Sequence, residues 1–480
     1  MATNNKYDLV VGLEIHVELK TKTKAFCHCK NEFGAPINTN VCPVCMGLPG
    51  ALPTINSECV EYSIKAGLAF DSKINNVAVF ERKNYFYPDL SKSYQISQLE
   101  KPFCVGGRVR YKIENQEKFT RLNNIHMEED AAKSVHDAKL DKSFVDYNRC
   151  GVPLIEIVTE PDMSSSEEAV ATLTAIKETL IAIGVSDCKM QLGNLRCDVN
   201  LSVKPHGSNV LGTRTEMKNL NSFKAVARAI NFEKQRQIDL LESGGVVHQI
   251  TLKWDDESGT NEALRSKEGS NDYRYFPDPD LLPVQISTEY VAKIKSQMPE
   301  LPYDRKNRYQ TKLGLTEHDA EVISSSSVLT NFFEECLAIK NDPKAICNWI
   351  STDIMRKMKE ELVDEPTILI SAKHFVELVD MFQKREISIN NAREILDQIW
   401  DTDKSARDVA TQNGLLQVND ENQVKDAVTT VIDQNPNAVA DYKAGNKKAL
   451  TFFVGQVMKQ TRGKANPQIV NKILVEELNK

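Results

Sequence analysis

In Leu13-Glu14-Ile15-His16-Val17-Glu18-Leu19, apolar and ionisable residues alternate without a break. Side chains on a strand repeat every two residues. Leu13, Ile15, Val17 and Leu19 therefore share one face, and Glu14, His16 and Glu18 the other. Such a run calls for a sheet with one dry face and one polar face, the habit of antiparallel pairing. The pattern recurs. Cys197, Val199, Leu201 and Val203 alternate with Arg196, Asp198, Asn200 and Ser202, and Arg214, Glu216 and Lys218 alternate with Thr215 and Met217. Glu156 stands inside the apolar run Leu154 to Val158, where a carboxylate is costly unless paired or metal-bound. His126-Met127-Glu128-Glu129-Asp130 adds to the supply of acids. Alternation alone fits an ordinary wet sheet surface. The residue types, Glu, Asp, His, Arg and Asn rather than Thr and Lys, point to chemistry. Carboxylates gathered on one face repel, and a divalent cation or a bound substrate would hold them together. His16 has two readings. Imidazole suits transition metals better than Mg2+, and it can also hydrogen-bond a metal-bound water.

Cys27-His28-Cys29 is followed, after twelve residues, by Cys42-Pro43-Val44-Cys45. Two close pairs across a loop of that length suit a four-thiolate zinc site, with His28 as a substitute for one thiol. Four protein ligands would make it structural and not catalytic. Four reduced structural cysteines is the other reading. The chain has eleven cysteines, an odd number, which fits a reducing compartment better than a disulfide framework. No apolar stretch is long enough for a membrane helix, and no secretory or transit signal is evident, so a cytoplasmic location is expected.

Two segments mix bases with aromatics: Arg82-Lys83-Asn84-Tyr85-Phe86-Tyr87-Pro88-Asp89 and Asp272-Tyr273-Arg274-Tyr275-Phe276-Pro277. They can stack a nucleotide base and pair with phosphates, or serve as aromatic core with snorkelling cations. Neither Gly-rich phosphate-loop pattern is present, so any ATP is held another way. Residues 292–404 read as a helical domain, with apolar faces at Phe332, Phe333 and Cys336, at Phe375, Leu378 and Val379, and at Ile395, Leu396 and Ile399. Residues 405–480 read as a mobile helical tail. Six bases there, Lys443, Lys447, Lys448, Lys459, Arg462 and Lys464, occur with no acid between them, within a chain of net charge −7. They form either a solvated helix face or a contact for RNA phosphates. Residues 1–291 hold the alternating runs and the cysteine pairs and are expected to form the first domain.

Together these segments resemble a known family. Gly12 to Leu19, Arg82 to Asp89, His126 to Asp130, Asp146 to Glu156, Leu195 to Asn200, Glu216 to Ser222 and Asp272 to Pro277 look like the signatures of the B subunit of the aspartyl/glutamyl-tRNA amidotransferase. The resemblance runs the length of the chain. It implies an α+β fold: a mainly antiparallel sheet forming an open cradle, distantly similar to glutamine synthetase, with a zinc-binding insertion, a helical domain and a helical tail. It implies conversion of misacylated Glu-tRNA(Gln) or Asp-tRNA(Asn) to Gln-tRNA or Asn-tRNA. ATP would phosphorylate the side-chain carboxylate, and ammonia would displace the phosphate. An amidase-type A subunit would make the ammonia and a small C subunit would tie the two together. This chain shows no amidase signature or nucleophile triad of its own. Carried over by resemblance, Glu14, His16, Glu129 and Glu216 are candidates for Mg2+ or Mn2+, with Glu156 and Asp198 further acids of the same face. Lys83, Arg149 and Arg196 are candidates for phosphate or carboxylate contacts. Cys27, Cys29, Cys42 and Cys45 match the zinc site of some members. Leu192 stands where the resemblance leads one to expect an acid. The rival reading is a non-catalytic RNA-binding zinc adaptor.

Overall fold

The computed structural model describes residues 6–114, 116–137, 139–266, 272–361, 367–417, 421–444, 446, 448–461 and 465–479. The chain divides into two compact units, Met1–Asp304 and Arg305–Lys480. The first is built on a ten-stranded sheet. Its strands are β1 (Tyr7–Glu18), β2 (Lys73–Ile74), β3 (Cys104–Val105), β4 (Arg108–Ile113), β5 (Gln116–Glu129), β6 (Pro153–Thr159), β7 (Leu195–Pro205), β8 (Thr215–Lys218), β9 (Ile250–Asp255) and β10 (Thr260–Ser266). In space they run β10-β9-β8-β7-β1-β6-β5-β3-β2, with β4 paired to β5. Every pairing is antiparallel except that of β8 with β9.

The alternation in β1 and β7 plays out as the pleat requires. Leu13, Ile15, Val17, Val199 and Leu201 are buried in one apolar cluster. Helices cover that dry face: α1 (Ser57–Ala69), α2 (Ser166–Ala182) and α3 (Phe223–Glu242). Each is capped by a side chain that satisfies an orphan N–H of the first turn: Asn56, Ser165 and Ser222 accept from Glu58, Glu168 and Ala225. Leu173, Ile176, Ala229 and Ile230 bring the helical apolar stripes onto the sheet. With one face sealed, the other is left to Glu14, His16 and Glu18.

Beside the large sheet, Glu81–Asn84 pairs with Tyr94–Ser97 and with Phe276–Pro277. The two aromatic and basic segments thus meet, although they lie far apart in sequence. The second unit is helical. Ser327–Ile339, Ala372–Gln383 and Ile389–Ile399 bury Phe332, Phe333, Phe375, Leu378, Ile395 and Leu396 in one core. A separate core gathers Val424, Val428, Phe453, Val457, Val470 and Leu474. The last helix starts at Pro467 behind an Asn466 cap that accepts from Gln468 N at 3.0 Å. Among the described residues, no helix is long and apolar enough to cross a membrane.

Candidate active site

Sheet register sets the order of side chains on the polar face. His16 lies opposite Arg196 on β7 and Glu156 on β6, and Glu156 lies opposite His126 on β5. His16 Nε2 comes within 3.4 Å of Glu128 and 3.6 Å of Glu156, while His126 Nε2 lies 3.1 Å from Glu156. Burial works against the Glu156 charge, yet the hydrogen bond and charge of His126 prevail and hold its carboxyl down to about 2. At Glu128 burial prevails and the carboxyl is pushed up, against the pull of His16, His126 and Lys83.

Two residues along β1, Glu14 lies opposite Asp198, and Asn200 lies opposite Glu216 on β8. Glu14, Asp198 and Glu216 form a second group. Asn200 donates to Glu14 at 2.8 Å, Thr251 to Glu216 at 2.9 Å, and Lys218 to Asp198 at 2.5 Å and Glu216 at 2.9 Å. Within each group, ligating atoms lie within 4.8 Å of one another. At ~3.4 Å per residue, the backbones of Glu14 and His16 are about 7 Å apart, so the two groups adjoin.

Glu129, a metal candidate carried over by resemblance, does not join either group. The strand period puts His126 and Glu128 on the polar face and turns Met127 and Glu129 to the other. There Glu129 is buried, paired with Lys92, and accepts from Ile96 N at 3.0 Å. Glu128 is the one of the two that stands with His16 and Glu156. His126, Glu128 and Lys218 join the groups although none is among the candidate ligands or phosphate contacts named from sequence. The signal was present, since the alternation of Ile125 and Met127 with His126 and Glu128 continues the rule already applied to β1.

A cavity of about 610 Å³ opens beside the second group, with Arg149, Arg196, Asp198 and Glu18 in its wall. Arg196 donates to Asp130 at 2.9 Å. Arg149 donates to the carbonyls of Ala131 and Ala132 at 3.0 and 2.9 Å. Leu192, the departure from the expected acid, is half-exposed in the same wall. Lys83 lies over the Tyr273 ring at 5.0 Å, and Tyr85 and Tyr273 meet edge to face. Burial and then the nearby Glu128 carboxylate raise the Tyr85 and Tyr275 hydroxyls above the usual range.

The four sulfurs of Cys27, Cys29, Cys42 and Cys45 converge within 4.8 Å, while His28 is exposed and outside the group. Cys59, Cys104, Cys150, Cys188, Cys197, Cys336 and Cys347 are buried. In the tail, Lys443, Lys448 and Lys459 are exposed on helices Pro436–Lys443 and Lys448–Gln460. Lys447, Arg462 and Lys464 lie outside the described residues.

A sheet with one sealed face, and on the other two adjoining carboxylate-rich groups beside a cavity with two arginines in its wall, makes an α+β protein whose site is suited to charged ligands. Residues 9–292 match the family model of the GatB/GatE catalytic domain, and residues 331–478 match that of the GatB domain. The chain is 48% identical over 478 residues to a protein of Caldicellulosiruptor saccharolyticus, covering 99% of this chain and 100% of the relative. It is 49% identical over 479 residues to one of Lachnospira eligens (98% and 99%), and 46% identical over 475 to one of Thermoanaerobacter pseudethanolicus (99% and 100%). All three relatives are named as the B subunit of an aspartyl/glutamyl-tRNA(Asn/Gln) amidotransferase. The chain belongs to the GatB/GatE family.

Proposed function

We propose that this chain is the carboxylate-activating subunit of a tRNA-dependent amidotransferase, acting on Glu-tRNA(Gln), Asp-tRNA(Asn) or both. The observation that carries the reading is the pair of adjoining groups, His16/Glu128/Glu156 and Glu14/Asp198/Glu216, beside a cavity edged by Arg149 and Arg196. A carboxylate resists ammonia because its charge repels nucleophiles and oxide is a poor leaving group. In the proposed sequence a carboxylate oxygen attacks the γ-phosphorus of ATP and ADP departs. Ammonia then attacks the acyl carbon and phosphate departs. Arg149 and Arg196 pair with the anionic side chain and phosphoryl oxygens, and Lys83 adds positive charge beside the first group.

The donor sets fit the metals the family implies. Glu14, Asp198 and Glu216 offer oxygen, which Mg2+ and Mn2+ take, and the imidazole of His16 favours Mn2+ in the other group. Asn200 Oδ1 and Arg196 Nε, on the same face, are buried without a hydrogen-bond partner, a need that a bound group would meet. When bound, a divalent ion neutralises charge that builds on the phosphoryl oxygens. Cys27, Cys29, Cys42 and Cys45 fit structural Zn2+. Residues 1–291 supply the cradle, 292–404 a helical connection, and 405–480 a basic tail for tRNA phosphates. Ammonia comes from an amidase-type A subunit, a small C subunit completes the heterotrimer, and the complex works in the cytoplasm.

The test is phosphate release from ATP by the complex purified through this chain, with and without Glu-tRNA(Gln). Release that requires the misacylated tRNA and stops with Glu216→Ala is the expected result. Release indifferent to tRNA would replace this reading with a small-molecule ligase. No release, despite bound tRNA and an active amidase, would replace it with a silent RNA-binding adaptor.

A further inference from the structure

Four carboxylates line the 610 Å³ cavity: Glu18, Glu32, Asp146 and Asp198. Three of them are already engaged. Asp198 is held by Lys218 at 2.5 Å, Glu32 lies 3.7 Å from Lys30, and Asp146 Oδ1 accepts from the backbone N–H of Asn38 and of Asn148. Glu18 makes no ion pair within 4.0 Å among the described residues. One oxygen accepts from the neutral amide of Asn194 at 2.9 Å, and the Asn194 carbonyl in turn accepts from Glu18 N at 2.9 Å. That double clamp fixes the end of β1 and leaves the carboxylate in the cavity wall with a neutral amide as its hydrogen-bond partner. Arg149 and Arg196 stand in the same wall, with Asp130 between them at 3.4 and 2.9 Å.

An aminoacyl ester of glutamate or aspartate carries two charges on one small residue, a side-chain carboxylate and a free α-ammonium. The cavity wall offers the complement of both. We propose that Glu18 binds the α-ammonium of the aminoacyl group while Arg149 and Arg196 take its carboxylate, so that the site selects esters with a free amino group and refuses N-acylated ones. The inference rests on the reading of the chain as an aminoacyl-tRNA amidotransferase subunit. It adds a specificity residue and the group it recognises. Binding through both charges also fixes which carboxyl oxygen is presented for phosphorylation, because two anchored points leave the short side chain little freedom to turn.

The test uses the assembled enzyme with Glu-tRNA(Gln) and with the same tRNA after N-acetylation of its glutamyl group. Acetylation removes the ammonium and leaves the side-chain carboxylate. For the wild type, KM for the acetylated tRNA is expected to rise about tenfold to a hundredfold, the worth of one charge-assisted hydrogen bond. Glu18→Gln keeps an acceptor for Asn194 and removes only the charge. It is expected to raise KM for Glu-tRNA(Gln) by a similar factor, chiefly in KM rather than kcat, and to close most of the gap between the two tRNAs. A wild type that uses both tRNAs alike would overturn the proposal without the aid of any variant. So would a Glu18→Gln enzyme that loses the same factor with both, or that keeps the full gap, since bulk and not charge would then explain it. Phosphate release absent with either tRNA would bring down the underlying reading as well. Release that is present, with no preference for the free amine, would overturn this inference alone.

Discussion

Exchanging Glu128 and Glu129 for glutamine, one at a time, separates the two faces of β5. Glu129 is 3% exposed and pairs with Lys92, whose side chain is 9% exposed. Glu129→Gln keeps the shape and an acceptor for Ile96 N, but it leaves the Lys92 ammonium buried with no counter-charge. Breaking a buried pair from one side costs roughly 3–5 kcal/mol. Because the glutamine oxygen still accepts a hydrogen bond, the lower end applies, about 3 kcal/mol, or more than a hundredfold in the folding equilibrium. Glu128 is as deeply buried, but its environment opposes its charge: burial and the neighbouring Glu156 both disfavour the anion. Glu128→Gln should therefore change stability by less than about 1 kcal/mol while removing one ligating oxygen from the His16 group, weakening Mn2+ there about tenfold or more. Stability of the first unit can be followed in urea through buried Trp254, with Trp349 and Trp400 replaced by phenylalanine. Mn2+ affinity is read from the electron paramagnetic resonance of the free ion. A Glu129→Gln protein that loses Mn2+ at wild-type stability, beside a Glu128→Gln protein that binds it as before, would refute this assignment of the two faces.

Three further outcomes follow from other parts of the molecule. A Cβ at Gly67 in α1 would lie 2.4 Å from Cys104 Sγ and 2.8 Å from Ile74 Cδ1, so Gly67→Ala should cost about 1–3 kcal/mol of overpacking, measured as a lower urea midpoint. Cobalt substitution should give tetrahedral thiolate absorption bands with one ion per chain. Cys29→Ser should abolish or shift those bands, and bands unchanged in that variant would exclude Cys29 as a ligand. Asp162 accepts two hydrogen bonds from the Arg121 side chain, at 2.9 and 2.7 Å, and one from its backbone N–H at 3.0 Å, which hold its carboxyl below the usual range. Its stabilisation is present above the ordinary aspartate pKa and is lost as pH falls through the lowered folded value. Asp162→Asn should flatten that part of the acid limb, and an unaltered slope would show that the pair contributes nothing.

The alternation in β1 and β7 was legible in the sequence because it is a property of the pleat, and the pleat is local. The same is true of the helical stripes around Phe332 and Phe375 and of the two cysteine pairs. Glu129, a candidate carried over by resemblance, stands apart from both groups for a local reason too: adjacent residues on a strand point to opposite faces, and Glu128 has the polar one. Nothing near His126 and Lys218 in sequence names their partners, Glu156 and Asp198.

By itself the sequence determined that one face of a sheet would carry acids, histidine and arginine, that thiols would gather in a loop, and that the later part of the chain would be helical. These follow from backbone periodicity and residue type, which neighbouring residues fix among themselves. Tertiary structure alone decided which acids share a group. Glu14 meets Asn200 across 186 positions of chain, and His16 is set between Arg196 and Glu156 by the register of three strands. A shift of one residue in either pairing would turn those side chains to the other face. The large buried apolar surface beneath them holds the register, and so selects the groups above.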